Sequence, residues 1–201
     1  MAENFQTQQI PENIISEEKP RSKRAGCVSF IIDTVETILL ALVLFLAINA
    51  LSARVRVENV SMQPTLKPGE FLLVNRVAYT LRDPSIGDIV VFHAPGAADL
   101  DYIKRVIGLP GDEVSVVDGV VQINGLPLYE PYIAQSPNYN GTWQVPVDHF
   151  FVLGDNRNNS SDSHLWGFVP REDIVGRALL IYWPVNEITL LTNPEIVQAI
   201  Q

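Results

Sequence analysis

Three histidines, one cysteine and a scattering of serines and carboxylates set the range of chemistry open to this chain. Metal catalysis needs ligands converging at defined spacings, and His93, His149 and His164 form no such motif. There is no Gly-x-Ser-x-Gly turn, no Gly-rich phosphate loop, and no pattern that singles out one histidine as partner to a serine. Lys104 is more unusual, because it sits inside the strand-like run Tyr102-Ile-Lys-Arg-Val-Ile107 with apolar neighbours on both sides. Strand alternation puts it on one face with Tyr102 and Val106. A lysine so placed is ordinarily an edge residue that snorkels to water. If it is instead held in an apolar site, it sheds its proton more easily, and bringing its pKa down toward neutrality corresponds to roughly 3–5 kcal/mol. The neutral amine can then accept a proton from a serine hydroxyl, the Ser-Lys variant of nucleophile and base. Ser61, in Ser-Met-Gln-Pro-Thr-Leu, is a candidate nucleophile, and Pro64 makes the residues after it a turn. Alone, a serine before a turn reads as a cap or a solvated loop residue. The segment Gly154-Asp-Asn-Arg-Asn-Asn-Ser-Ser-Asp-Ser-His164 also suits an ordinary surface loop that bonds its own backbone.

The elements that must position these residues are legible in coarse form. A chain of 201 residues with 47% hydrophobic content holds one domain with a true core and one appendage. The single Cys27 excludes an internal disulfide and a thiolate zinc site, and a net charge of −9 argues against nucleic acid as a partner. Residues 1–26 are polar and unpatterned and read as a flexible tail. Residues 27–52 read as one transmembrane signal-anchor helix. Its charge-free stretch, Ile38 to Ile48, reaches the roughly 20 residues of a bilayer span only by absorbing Asp33 and Glu36. A cleaved signal peptide, with Ala50 and Ala53 near the cut, would have a shorter preface. A buried helix of a soluble domain would be hard to cover with about 150 further residues. Lys19, Arg21, Lys23 and Arg24 precede the helix and only Arg54 and Arg56 follow it, which places the N-terminus in the cytoplasm and residues 53–201 across the membrane.

Beyond Val55 the chain reads as short strands rich in β-branched and aromatic residues: 71–74, 88–92, 102–107, 113–117, 120–123, 149–153 and 178–183. Asp118-Gly119 and Asn124-Gly125 favour two-residue turns, so 113–128 is expected to be a small antiparallel meander. The fold class is mainly β. Residues 131–147, with their Pro, Asn and Gly, read as an exposed loop, and a short helix is expected after Pro194.

Taken together, four segments after one membrane helix resemble bacterial type I signal peptidases, in family order and spacing. They are Ser61-Met-Gln-Pro-Thr-Leu66, Gly87-Asp-Ile-Val-Val-Phe92, Tyr102-Ile-Lys-Arg-Val-Ile-Gly-Leu-Pro-Gly-Asp112 and Gly154-Asp-Asn-Arg-Asn-Asn-Ser-Ser-Asp-Ser163. The resemblance implies an antiparallel β-sheet catalytic domain that rests on the membrane and needs no cofactor or metal. It implies a bacterial plasma (inner) membrane enzyme of single-pass type II topology, acting as a monomer on secreted preproteins with Ala-x-Ala-like residues before the cut. Ser61 would be the nucleophile and Lys104 its general base, Ser160 would orient the amine, Asp162 would support the site, and Arg105 would be structural. The oxyanion would be held by the Ser61 N–H and by Asn59, where many relatives carry serine or glycine. His164 stands where many have arginine, and can pair with Asp162. Two rivals share part of the pattern: a self-cleaving repressor with the same Ser-Lys pair, which would need a DNA-binding segment, and an idle tethered β domain that binds a peptide by strand addition.

Overall fold

The computed structural model describes residues 23–80 and 82–193. Of the tail expected over residues 1–26, residues 1–22 lie outside them, as does the helix expected after Pro194. The chain divides into two units between Phe45 and Leu46.

The first helix, α1, runs Lys23–Leu51, beginning at Lys23 rather than at Cys27. Nothing in the sequence from Ala25 to Leu51 stops it: the only glycine is Gly26, close to its start, and there is no proline. Every side chain from Ser29 to Leu51 is exposed within the chain, although most are large and apolar. At 1.5 Å per residue, these 23 residues span about 34 Å, enough for a hydrocarbon core of about 30 Å. Asp33 and Glu36 fall inside the helix, and the Thr34 and Thr37 hydroxyls donate back to the Phe30 and Asp33 carbonyls at 2.7 Å, satisfying their own polarity. An apolar helix of this length and exposure fits a membrane anchor.

The second unit is two antiparallel sheets. The strands are β1 (Ser52–Arg56), β2 (Phe71–Asn75), β3 (Ile89–Ala94), β4 (Ala97–Gly108), β5 (Glu113–Val117), β6 (Val120–Ile123), β7 (Leu126–Pro127), β8 (Gly141–Gln144), β9 (His149–Leu153), β10 (Val169–Pro170), β11 (Ile174–Trp183) and β12 (Thr189–Leu190). The larger sheet has the order β1-β2-β11-β3-β4-β9-β10, with β12 also on β11; the smaller has the order β7-β6-β5-β8. As expected, 113–128 is a meander: Asp118-Gly119 and Asn124-Gly125 all take positive φ, between 51° and 79°, the conformation that two-residue hairpin turns demand.

Four strands, β1, β8, β10 and β12, lie outside the runs the sequence suggests, and the reason is plain for the first two. β1 forms from Ser-Ala-Arg-Val-Arg, a polar-looking stretch whose alternation lets Ala53 and Val55 pack on the core while Arg54 and Arg56 stay outside. β8 forms inside the span read as an exposed loop, because Trp143 packs on Phe151 at 5.0 Å and ties Gly141–Gln144 to β5.

Three apolar clusters fill the unit. One, built on Val57, Met62, Leu66, Leu72, Val74, Ile89 and Val91, lies under the segment that carries Ser61. Another, with Val90, Phe92, Val106, Phe150 and Val152, lies beside β4 and takes Tyr102 at its margin. The third supports the smaller sheet.

Candidate active site

Met62 and Leu66 are almost wholly buried, and the Leu66 N–H donates to the Met62 carbonyl at 2.9 Å. The turn of Ser61-Met-Gln-Pro-Thr-Leu66 is thus pinned at two apolar anchors, which leave Ser61 half-buried at the floor of a cleft. Asn59, two residues upstream, is exposed and lines the same cleft. The cleft holds about 310 Å³ between the Arg56–Met62 segment and the Asp101–Lys104 part of β4.

Pairing fixes Lys104 from the other side. It lies opposite Val90 in the β3–β4 ladder, and Arg105 beside it pairs with both Ile89 and Leu153. Only 4% of Lys104 is exposed, yet its Nζ donates to Ser61 Oγ at 2.8 Å and to its neighbour's carbonyl, Ile103 O, at 3.2 Å. The Tyr102 ring stands 5.3 Å from the amine. Burial lowers the Lys104 pKa to about 8, against the opposing pull of the Asp162 and Asp155 carboxylates. Forty-three residues apart in the chain, a serine and a largely dehydrated lysine therefore share a hydrogen bond, the arrangement in which an amine can take a hydroxyl proton.

The loop after β9 clamps the two together. The Asn156 N–H donates to the Ser61 carbonyl at 3.0 Å, and the Asn156 side chain donates to the Val60 carbonyl at 3.2 Å. Asp155, fully buried, accepts both Nε and Nη2 of Arg105 at 2.8 and 2.6 Å and the Thr65 hydroxyl at 2.5 Å. One carboxylate thus joins the nucleophile's turn to the strand of the base, and Arg105 closes the link through the Gly87 carbonyl at 2.9 Å. Gly154 has to be glycine here. A Cβ at that position would run into the Ser160 hydroxyl and the Ser61 carbonyl oxygen.

Asp162 is buried and caps the short helix α2 (Ser163–Trp166). It accepts the Gly154 N–H at 2.9 Å and meets His164 Nδ1 at 2.6 Å, while His164 stacks on Tyr139 at 4.0 Å. Ser160 lies against Gly154, but among the described residues its buried hydroxyl has no hydrogen-bond partner, and the contact with Lys104 that the resemblance implied is not made. Lys104 bonds instead to Ser61 and to the Ile103 carbonyl, which takes two of its three donors. The sequence reading missed Asp155, Glu130 and Tyr132. One signal pointed toward the first: an arginine inside a buried strand, Arg105, demands a carboxylate.

Residues 31–183 match the family described as signal peptidase, peptidase S26. A probable signal peptidase I-2 of Synechocystis sp. is 43% identical over 199 residues, covering 96% of this chain and 91% of that protein. A signal peptidase I of Leptolyngbya laminosa is 44% identical over 185 residues, with 88% and 91% covered. The thylakoidal processing peptidase 1 of Arabidopsis thaliana chloroplasts is 38% identical over 152 residues, with 70% of this chain and 45% of that protein covered. With three quarters of its length matched by the family and relatives 43–44% identical over most of the chain, the chain belongs to the S26 family of signal peptidases, serine endopeptidases that remove signal peptides.

Proposed function

We propose that Ser61 and Lys104 carry out signal-peptide removal in this chain, Ser61 as nucleophile and Lys104 as its general base. The observation that carries this reading is the 2.8 Å hydrogen bond between a serine and a lysine whose amine burial has brought down to a pKa of about 8. Ser61 Oγ attacks the carbonyl carbon of the bond to be cut while its proton passes to Lys104 Nζ. The negative charge that develops on the carbonyl oxygen is met by the Ser61 N–H and the Asn59 amide. Collapse breaks the C–N bond, and the Lys104 ammonium returns the proton to the leaving amine. Water then attacks the acyl-enzyme as Lys104 takes its proton, and breaking the ester bond releases the carboxylic acid product while Lys104 returns that proton to Ser61 Oγ. Ser160, whose hydroxyl is unpartnered in the resting site, orients the amine once Ser61 is bonded to substrate. Asp162 supports it by holding Gly154 and His164 in place.

The cleft supports an extended substrate. Residues Asp101–Lys104 pair with β3 on one edge, whereas β9 takes up β4 only from Arg105 onward. The free edge lines the cleft and can pair with a peptide by strand addition, and the preference for small residues such as alanine before the cut is the one the family resemblance implies. The preprotein is thus the substrate and the bilayer the setting. Lys19, Arg21, Lys23 and Arg24, ahead of the apolar stretch, support a cytoplasmic N-terminus with the catalytic unit outside the bacterial plasma membrane, and a monomer is sufficient for the chemistry. A reporter fused after Gln201 is expected to be extracytoplasmic.

The decisive experiment is cleavage of an Ala-x-Ala preprotein by the detergent-solubilised chain. Wild type is expected to cut after the small residue, and Ser61→Ala and Lys104→Ala to be folded and inactive. Normal activity in either variant ends the assignment.

A further inference from the structure

Outside the matched motifs, the corner Glu130-Pro-Tyr132 makes an unusual set of contacts for a loop between two small strands. Glu130 accepts Nη1 and Nη2 of Arg157 at 2.7 and 2.5 Å, a bidentate pair in which Arg157 is 1% exposed. The Tyr132 hydroxyl donates to Glu130 at 2.8 Å. Its ring lies between two guanidinium groups, 3.9 Å from Arg105 and 5.9 Å from Arg157. Burial and the neighbouring carboxylate push the Tyr132 phenol far up, so it stays a neutral donor.

Both arginines lead directly into the reaction centre. Arg157 Nε donates to the Gly154 carbonyl at 3.1 Å, next to the residues that grip Ser61 and Val60. Arg105 is chain neighbour to Lys104 and holds Asp155, which holds Thr65. A single loop corner therefore fastens the nucleophile side through Gly154 and the base side through Arg105. Neither Glu130 nor Tyr132 touches the cleft.

We propose that Glu130 and Tyr132 are positioning residues: they hold Arg157 and Arg105 so that the Gly154–Asn156 loop keeps Ser61 in register with Lys104. This rests on the Ser61–Lys104 reading, and the control for that reading is kept separate: wild type active, with Ser61→Ala and Lys104→Ala inactive. If that control fails, the reading falls; if it passes, the variants below judge the proposal alone.

The test compares kcat and KM of Glu130→Gln, Tyr132→Leu and the double variant Glu130→Leu/Arg157→Met, in the full chain in detergent, with thermal unfolding alongside. Glu130→Gln leaves the Arg157 charge unpaired, and Tyr132→Leu removes the ring between the guanidiniums. Each is expected to lower kcat about tenfold with KM within about twofold, since misplacing the reacting groups costs rate rather than substrate binding. The double variant removes charge and partner together, which restores a stable core but not the contact to Gly154. Its Tm is expected to return to near wild type while kcat stays low. A merely structural pair gives the opposite result, kcat recovering with Tm. Recovery of kcat in the double variant, or a normal kcat in folded Glu130→Gln and Tyr132→Leu, overturns the proposal. If the single variants do not fold, the double variant decides.

Discussion

The sharpest consequence of the site is a rising pH limb in catalysis. As the proposed general base Lys104 works only when neutral, and burial brings its pKa from 10.5 to about 8. With that value about a tenth of the enzyme carries the neutral amine at pH 7, half at pH 8 and about nine tenths at pH 9, so kcat/KM rises about tenfold between pH 7 and pH 9. The assay is the initial rate of a short Ala-x-Ala peptide at substrate far below KM, on a substrate with no group titrating between pH 6 and 10. Stability must follow the same group. The unfolded lysine keeps its proton up to 10.5 and the folded one only to about 8, so between those values unfolding takes up a proton and stability increases with pH. Below pH 8 the buried ammonium costs the fold its full penalty, about 3 kcal/mol for a shift of this size. Lys104→Met removes that penalty, so the inactive variant is expected to be more stable than wild type at pH 7 by about 1–3 kcal/mol and to lose the rise between pH 8 and 10.5. A flat kcat/KM from pH 7 to 9, or a limb centred near the ordinary lysine value, refutes the role given to burial.

Three further outcomes follow from the contacts around the pair. Asp162→Asn removes the larger of the two carboxylate effects that raise the Lys104 pKa while leaving an oxygen to accept the Gly154 N–H; the kcat/KM limb is expected to move below about 8. Gly154→Ala drives a methyl group against the Ser61 carbonyl and the Ser160 hydroxyl, and is expected to cut kcat about 100-fold in a protein that still folds, as a displaced nucleophile does. Asp155→Asn leaves the buried Arg105 without its counter-charge and is expected to lower stability by about 3–5 kcal/mol in urea unfolding, with normal stability counting against the clamp.

What the sequence discloses about this molecule depends on whether a signal is local. The meander shows because Asp-Gly and Asn-Gly are the turn residues that positive φ requires, and α1 shows because nothing polar interrupts it for long. β1 and β8 are hidden for the converse reason: the Ala53 and Val55 face and Trp143 have strand character only through partners far along the chain. The site follows the same division. Ser61 and Lys104 carry their own signals, a turn proline after one and a strand around the other. Their 2.8 Å contact is a property of how the β3–β4 ladder and the Met62–Leu66 anchors meet. Glu130 and Tyr132 are the extreme case. In sequence they are one acid and one aromatic in a proline-bearing loop, and only the buried guanidiniums of Arg105 and Arg157 give them a task. Because a buried arginine is tolerable only when its charge is met, Arg105 and Arg157 oblige the fold to bring Asp155 and Glu130 beneath the site. The chemistry above is then held by ion pairs that the motifs themselves do not spell out.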